Sequence, residues 1–113
     1  MKKDALIFLG HILDSIGYIE SFSNGLSKSN FETNRLKQSA IIREIEIIGE
    51  AVKNLPIDFT VKYPQISWSE IAGTRDKIIH YYFGVDLNLI WDVIKKDLPI
   101  LKKKIKNIEE LEF

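Results

Sequence analysis

The stretch "IIREIEIIGEAVKNLP", residues 41–56, decides the fold class. Its apolar residues recur at steps of four and three positions, which is the spacing of one face of an α-helix. That face consists of Ile41, Ile45, Ile48, Val52 and Leu55. Further apolar residues widen the stripe, so we expect this helix to contact neighbours on more than one side.

Helical patterns also extend before this stretch. A first helix is predicted over Lys3–Phe22, because leucine and isoleucine recur there at three- and four-residue steps. The segment "SNGLSKSN" then interrupts the pattern. The second helix is predicted to begin at Ser29, with Glu32 in capping-box spacing. It should end near Leu55, because the proline that follows cannot continue it.

Two more helices follow a connector, "PIDFTVKYPQIS", in which one short helical turn is predicted. Ser67 is placed to cap the third helix, which we expect to continue until near Gly84. The fourth helix is predicted over Leu87–Ile108 with Asp86 as its N-cap. Pro99 lies inside it and should kink the helix or leave a carbonyl group unpaired.

These patterns predict an all-α chain, because no segment alternates as a strand does. The simplest arrangement is an antiparallel, up-and-down four-helix bundle with a short extra helical turn between the second and third helices. The length of 113 residues suggests a single domain, residues 1–113. Hydrophobic residues make up 45% and charged residues 28%, which is typical of a globular protein.

Charge and composition exclude several functional classes. Sixteen basic residues balance sixteen acidic ones, so the chain has no global field for nucleic acid. The absence of cysteine excludes disulfides and thiolate catalysis. No uninterrupted apolar run approaches the roughly 18 residues of a membrane span, and the N-terminal stretch lacks a signal-peptide cleavage site. We therefore expect a cytoplasmic protein without a membrane partner.

Residues that carry chemistry gather in "AGTRDKIIHYYFGVD", residues 72–86. A histidine such as His80 moves protons at neutral pH, because its unperturbed pKa is about 6.5. Arg75 can bind phosphate as a fork, and the Tyr82 hydroxyl can bond a phosphate oxygen or be modified. Asp76 could orient the imidazole or hold the arginine. Together these groups could cleave RNA without a metal.

The spacing of this motif limits how one chain could use it. On an ideal helix, Arg75 and His80 are about 140° apart, so they converge only if the helix ends or distorts near Tyr81 or a second chain completes the site. One motif supplies one histidine, whereas cleavage needs both a proton acceptor and a proton donor. Two copies across a two-fold axis would supply both. The alternative is a half-buried helix face with no catalytic role.

Three segments in order resemble one family. "RDKIIHYYFGVD" resembles the R-x4-H-x-Y signature of the HepT family in the HEPN superfamily. "IIREIEIIGEAVKNLP" is similar to the family's second-helix "IGEA" segment, and "WSEIAGTRDKIIHYYFGVD" resembles its usual run of Trp, Ile, Gly and Arg before the motif. Many members have asparagine after the motif arginine, where this chain has Asp76.

The resemblance implies an all-α homodimer in which two motifs face a shared cleft and act as a toxin ribonuclease. It implies an MntA-type nucleotidyltransferase as the antitoxin partner, which in some systems adds AMP to the motif tyrosine. Arg75 and His80 take the catalytic places, and Tyr82 takes the place of that tyrosine. A rival interpretation is a non-catalytic HEPN module that binds nucleotide, or holds substrate for the nucleotidyltransferase.

Other polar residues have less specific interpretations. Glu50 either supports the cleft or is a surface carboxylate paired with Lys53. His11 has no partner at a metal-ligand spacing, so no metal or cofactor is expected.

The lysines of residues 95–106 are interpreted as a solvated face rather than an RNA guide. The surplus apolar surface of the second helix and the segment around Trp68 are expected to be buried in the homodimer.

Overall fold

The computed structural model describes residues 2–80 and 84–112, without the side chains of Lys2 and His80. Within that part of the chain, eight α-helices and one pair of two-residue strands form. The helices are α1 (Lys2–Ser23), α2 (Lys28–Thr33), α3 (Arg35–Lys53), α4 (Ile57–Lys62), α5 (Trp68–Ala72), α6 (Thr74–Ile78), α7 (Leu87–Asp92) and α8 (Leu98–Glu112). The strands are β1 (Ile79–His80) and β2 (Gly84–Val85), and a π-helical turn, Val93–Asp97, joins α7 to α8. The all-α class is confirmed, while the up-and-down order of the bundle stays a prediction.

The core lies between α1, α3 and α8. α1 packs along α3 and against α8, while α5 and α6 lie on α3 and α6 also meets α7. The predicted stripe on the second helix is buried along its whole length, as expected. Residues with almost no exposed surface come from each long helix: Leu9, Ile12, Ile16, Ile19, Phe31, Ile41, Ile78, Ile90, Ile105 and Ile108.

The second helix is divided, which the sequence interpretation missed. Ser27, rather than Ser29, caps α2, because its hydroxyl accepts from the backbone N–H of Asn30 at 3.2 Å. A new helix starts after Asn34, whose side-chain oxygen accepts from the N–H of Lys37 at 3.0 Å. The predicted start at Ser29 is therefore wrong, since two better-placed caps satisfy the free N–H groups on either side of it.

The third helix is also divided, and it ends earlier than predicted. It breaks at Gly73 into α5 and α6, and α6 ends at Ile78 instead of near Gly84. The Ser67 side chain makes no capping hydrogen bond. The early end has a physical cause, because the chain after Ile78 pairs with a second strand instead of continuing the helix.

The fourth helix begins as predicted and is distorted near its proline. The Asp86 carboxylate accepts from the N–H of Leu89 at 3.0 Å, which confirms the N-cap. The π-helical turn lies immediately before Pro99, and within it the N–H of Leu98 donates to the carbonyl of Val93, five residues back. Proline has no N–H to donate, so widening the preceding turn is one way in which a helix accommodates it.

Among the described helices, α1 is the one that is long and apolar enough to span a membrane by length and composition. The most apolar 18-residue window within Lys3–Ser23 has a mean hydropathy of 1.3. The apolar side of the helix faces the core, where Leu9, Ile12 and Ile16 are buried against the other helices. About a third of this stretch is buried within the chain, and Ile7 and Tyr18 on the same helix are exposed.

A buried polar cluster joins α4 to the end of α8. The Tyr63 hydroxyl donates to the carboxylate of Glu112, and Lys62 Nζ lies 2.8 Å from the same oxygen. The hydrogen bond to Glu112 raises the pKa of Tyr63 above its ordinary value. Trp68 packs on Phe59 and donates its indole N–H to the Tyr63 carbonyl at 3.0 Å. Trp68 is thus buried within its own chain as a core residue, while a dimer interface formed by the segment around it stays a prediction.

Candidate active site

Arg75 on α6 is held beside α3 by a carboxylate. Its Nε lies 3.4 Å from Oε2 of Glu46, and its Nη1 lies 3.7 Å from Oδ1 of Asp76. The Arg75 side chain is 52% exposed, so it can reach a ligand from solvent while it keeps a partner. The guanidinium thus has an acidic neighbour at each of two nitrogens and is half open to solvent.

A glycine lets the two helices come this close. A Cβ atom placed on Gly49 would lie 3.3 Å from the backbone carbonyl oxygen of Ala72, at the end of α5. Only a hydrogen occupies that position, so α3 packs directly on the backbone that leads into α6. Gly49 lies three residues after Glu46, and it therefore contributes to the distance between Glu46 and Arg75.

The chain leaves helical geometry before it reaches His80. α6 ends at Ile78, and Ile79 has an extended backbone. β1 and β2 pair antiparallel, with His80 opposite Gly84, and the N–H of Asp86 donates to the carbonyl of Ile78 at 2.8 Å. Gly84 has a φ of +82°, a conformation that favours glycine.

The early helix end removes one obstacle to a shared site. The 140° separation of Arg75 and His80 applies to a continuous helix, and here the helix ends two residues before the histidine. Of His80 the structure describes the backbone, and Tyr82 lies outside the described residues. The catalytic roles of Arg75 and His80, and the role of Tyr82 in modification or substrate contact, stay predictions.

The two supporting carboxylates predicted from the sequence occupy different surroundings. Asp76 is 84% exposed and near one side of Arg75, which fits holding the arginine loosely. Glu50 lies 3.6 Å from Lys53 on the exposed face of α3. That pairing is the surface interpretation of Glu50, and a role for it in the cleft stays a prediction.

Glu46 is the site residue that sequence reasoning missed. It lies four residues before Glu50, so both carboxylates project from one side of α3. That spacing was visible in "EIIGEA". The contact with Arg75, however, joins residues 29 positions apart and depends on how α3 and α6 pack.

A cleft of about 270 Å³ lies near the site, between α3, α5, α6 and α8. Its floor is apolar, formed by residues such as Ile45, Ile71 and Leu101. Thr74 and Lys77 of α6 line it, whereas Arg75 does not. Arg75 therefore lies on a surface outside this cleft.

Other candidate sites are weaker. Within residues 2–80 and 84–112, no group of three or more His, Cys, Asp or Glu side chains could hold a metal ion. His11 is exposed and contacts the ring of Phe8. Four of the six lysines near the C-terminus contact groups of their own chain, which fits a solvated face. These contacts are Lys95 over Trp91, Lys96 with Asp92, Lys102 with Glu20, and Lys104 with the carbonyl of Gln65.

Sequence comparison relates most of the chain to known proteins. A family model described as "Ribonuclease HepT-like" matches residues 12–108. A Methanocaldococcus jannaschii protein named "Gamma-glutamylcyclotransferase and putative RNase" is 52% identical over 113 residues, which cover 99% of this chain and 51% of that protein. This chain thus spans about half the length of that relative.

Two further relatives match over nearly their whole length. A second M. jannaschii protein, named "Putative RNase", is 46% identical over 110 residues, with 97% of this chain and 88% of that protein covered. A Thermococcus cleftensis protein named "Probable ribonuclease HepT" is 42% identical over 110 residues, with 97% of this chain and 100% of that protein covered. No solved structure matches the chain.

Proposed function

Because the chain belongs to the HepT-like ribonuclease family, we propose that it is a toxin endoribonuclease that uses Arg75 and His80 without a metal ion. The proposal rests on one observation above all. The helix that carries Arg75 ends before His80, so the two residues are not held on different sides of a continuous helix. The exposed guanidinium of Arg75 is available to a phosphate.

The chemistry follows from the groups that the motif supplies. The ribose 2′-OH attacks the adjacent phosphorus, and its proton passes to a neutral histidine acting as base. The bond from phosphorus to the 5′-oxygen breaks, and a protonated histidine gives that oxygen its proton. Arg75 stabilises the negative charge that develops on the non-bridging oxygens. The products are a 2′,3′-cyclic phosphate and a 5′-hydroxyl.

The two proton transfers favour a homodimer. Each copy of the motif contributes one histidine, His80, and a two-fold axis would bring a second His80 to the same phosphate. In this proposal the base and the acid come from different chains. The neutral net charge mildly favours the non-catalytic alternative, and any attraction of RNA has to be local.

Regulation would act on the same site. An MntA-like nucleotidyltransferase antitoxin would transfer AMP from ATP to the hydroxyl oxygen of Tyr82, two residues after His80 in sequence, with release of pyrophosphate and the hydroxyl proton. The added phosphate would pair with Arg75 and occupy the place of the RNA phosphate. This is direct competition for one surface and requires no conformational change elsewhere.

RNA cleavage by the purified chain in EDTA tests the activity. The wild-type protein should cut RNA, whereas Arg75→Ala and His80→Ala should lose the activity and keep the fold by circular dichroism. His11→Ala is the matched control, because it removes the other histidine from an exposed face of α1 and should cut normally. Full activity of His80→Ala would disprove the mechanism. RNA binding without cleavage by wild-type protein would favour the non-catalytic binding module.

The dimer is tested by sedimentation and by mixing variants. The wild-type chain should sediment as a dimer at micromolar concentration. Excess His80→Ala chain, exchanged into wild-type dimers, should abolish cleavage, because each mixed dimer has one His80 and the proposed site needs two. A monomer that cleaves RNA would contradict the shared site.

Control by the antitoxin is tested by mass spectrometry. Co-expression with an MntA-like nucleotidyltransferase should raise the mass of this chain by one or more AMP units and relieve toxicity. Tyr82→Phe should stay unmodified and toxic. Relief of toxicity without a change in mass would show that the antitoxin masks the site by binding.

A further inference from the structure

We propose that Glu46 is a positioning residue for RNA cleavage, an inference that rests on the ribonuclease activity proposed above. Its carboxylate on α3 lies 3.4 Å from Nε of Arg75 on α6. The two side chains are 43% and 52% exposed, so a polyanion can reach the pair from solvent. Glu46 would act through Arg75 and not by contact with RNA.

The atom that Glu46 contacts determines what the arginine has left to offer. A guanidinium has one N–H on Nε and two on each terminal nitrogen. A carboxylate at Nε engages one side of the group and leaves terminal N–H groups for a phosphate. Asp76 lies near Nη1, but at 3.7 Å and 84% exposure that pair is weak and a phosphate can displace it.

Ordering Arg75 before RNA arrives is the contribution of Glu46. A long arginine side chain loses much rotamer freedom when a ligand fixes it. A partner that fixes it in advance lowers the entropy cost of reaching the transition state. The negative charge of Glu46 also weakly repels the phosphate. Removal of Glu46 should therefore slow turnover without weakening RNA binding, a combination that general damage to the fold would not produce.

Glu50 is the rival for this role, since it lies one helical turn further along α3. Its carboxylate is 70% exposed and lies near Lys53 instead of Arg75. The geometry assigns the positioning role to Glu46. A comparison of alanine variants at the two positions separates these assignments.

Steady-state cleavage and binding of an uncleavable RNA analogue test the proposal. The analogue carries 2′-deoxyribose at each cleavage site. Glu46→Ala should lower kcat roughly tenfold, while its Kd for the analogue stays constant or falls by up to about threefold at low salt. Glu46→Gln should recover part of kcat, because its amide oxygen can take the place of the carboxylate beside Arg75. Glu44→Ala is the matched control, since Glu44 lies about 200° away around α3.

A second measurement does not depend on activity. The Nε–H proton of Arg75 is assigned in an NMR spectrum by its disappearance in Arg75→Lys. Its exchange with water should be faster in Glu46→Ala than in wild-type and Glu44→Ala protein. An unchanged exchange rate in Glu46→Ala would overturn the proposal, and so would an unchanged kcat. A loss of kcat in Glu50→Ala but not in Glu46→Ala would transfer the role to Glu50.

The two measurements distinguish the failure of this inference from failure of the proposed function. If the wild-type chain cuts no RNA, the ribonuclease proposal fails by itself. The exchange measurement then still decides whether Glu46 orders Arg75. If the wild-type chain cuts RNA and Glu46→Ala loses RNA binding as strongly as it loses kcat, Glu46 supports the fold of the site and the positioning role is wrong.

Discussion

Replacing Gly49 by alanine tests the close contact on which the position of Arg75 depends. The new Cβ would lie 3.3 Å from the carbonyl oxygen of Ala72, which is shorter than the ordinary van der Waals contact range of 3.4–4 Å. Alanine in place of glycine in a helix normally stabilises a protein by about 1 kcal/mol. Overpacking costs about 1–3 kcal/mol. The sum predicts a change between zero and a loss of about 2 kcal/mol in the free energy of unfolding.

Gly17→Ala provides the matched control, because a Cβ at Gly17 on α1 has no heavy atom within 4 Å. This variant should gain the full helix-propensity term of about 1 kcal/mol. Urea denaturation should therefore separate the two variants by about 1–3 kcal/mol. Gly49→Ala should also lower the kcat for RNA, since α6 is displaced from Glu46. Equal stabilisation in both variants would refute the close contact between α3 and α5.

Three further changes test the fold around the site. Asp86→Ala removes the N-cap of α7 and should cost about 1 kcal/mol of unfolding free energy, measured by urea denaturation. The raised pKa of Tyr63 stabilises the fold below the ordinary phenol value of about 10, and this contribution is lost as pH rises through the pKa of the folded state. Tyr63→Phe should therefore lose less stability than wild type between neutral and strongly alkaline pH. Ile78→Ala should cost about 2–5 kcal/mol because the side chain is fully buried, whereas the exposed Ile57→Ala should change stability by less than about 0.5 kcal/mol.

Local patterns predicted much of the fold. The stripe from Ile41 to Leu55 is buried, α1 has nearly the predicted length, and Asp86 caps its helix. Each of these features depends on residues a few positions apart, which periodicity and capping chemistry capture. The resemblance to the HepT family is confirmed by the family model over residues 12–108.

Competition between neighbouring signals explains the boundary errors. Ser27, Ser29 and Asn34 are all good N-caps, and the sequence alone does not show which of them satisfies a free N–H group. The end of α6 at Ile78 depends on the pairing of β1 with Gly84–Val85. Local helix and strand propensities do not predict such a contact, because pairing between distant segments overrides local preference.

The candidate site was predictable only in part. Arg75 and Asp76 were identified from the motif, and the structure brings them together. Glu46 was missed because its partner is distant in sequence and the two meet through the packing of α3 on α6. An ion pair of that kind follows from tertiary structure and not from spacing along one helix.

A chimeric oligonucleotide tests the central claim most directly. The strand is DNA with a single ribonucleotide, so cleavage by 2′-OH attack can occur at only one linkage. We predict that wild-type and His11→Ala protein cut there in EDTA and leave a 2′,3′-cyclic phosphate, and that His80→Ala and Arg75→Ala leave the strand intact. Cleavage at a deoxyribose linkage, or wild-type rates for His80→Ala, would contradict the account.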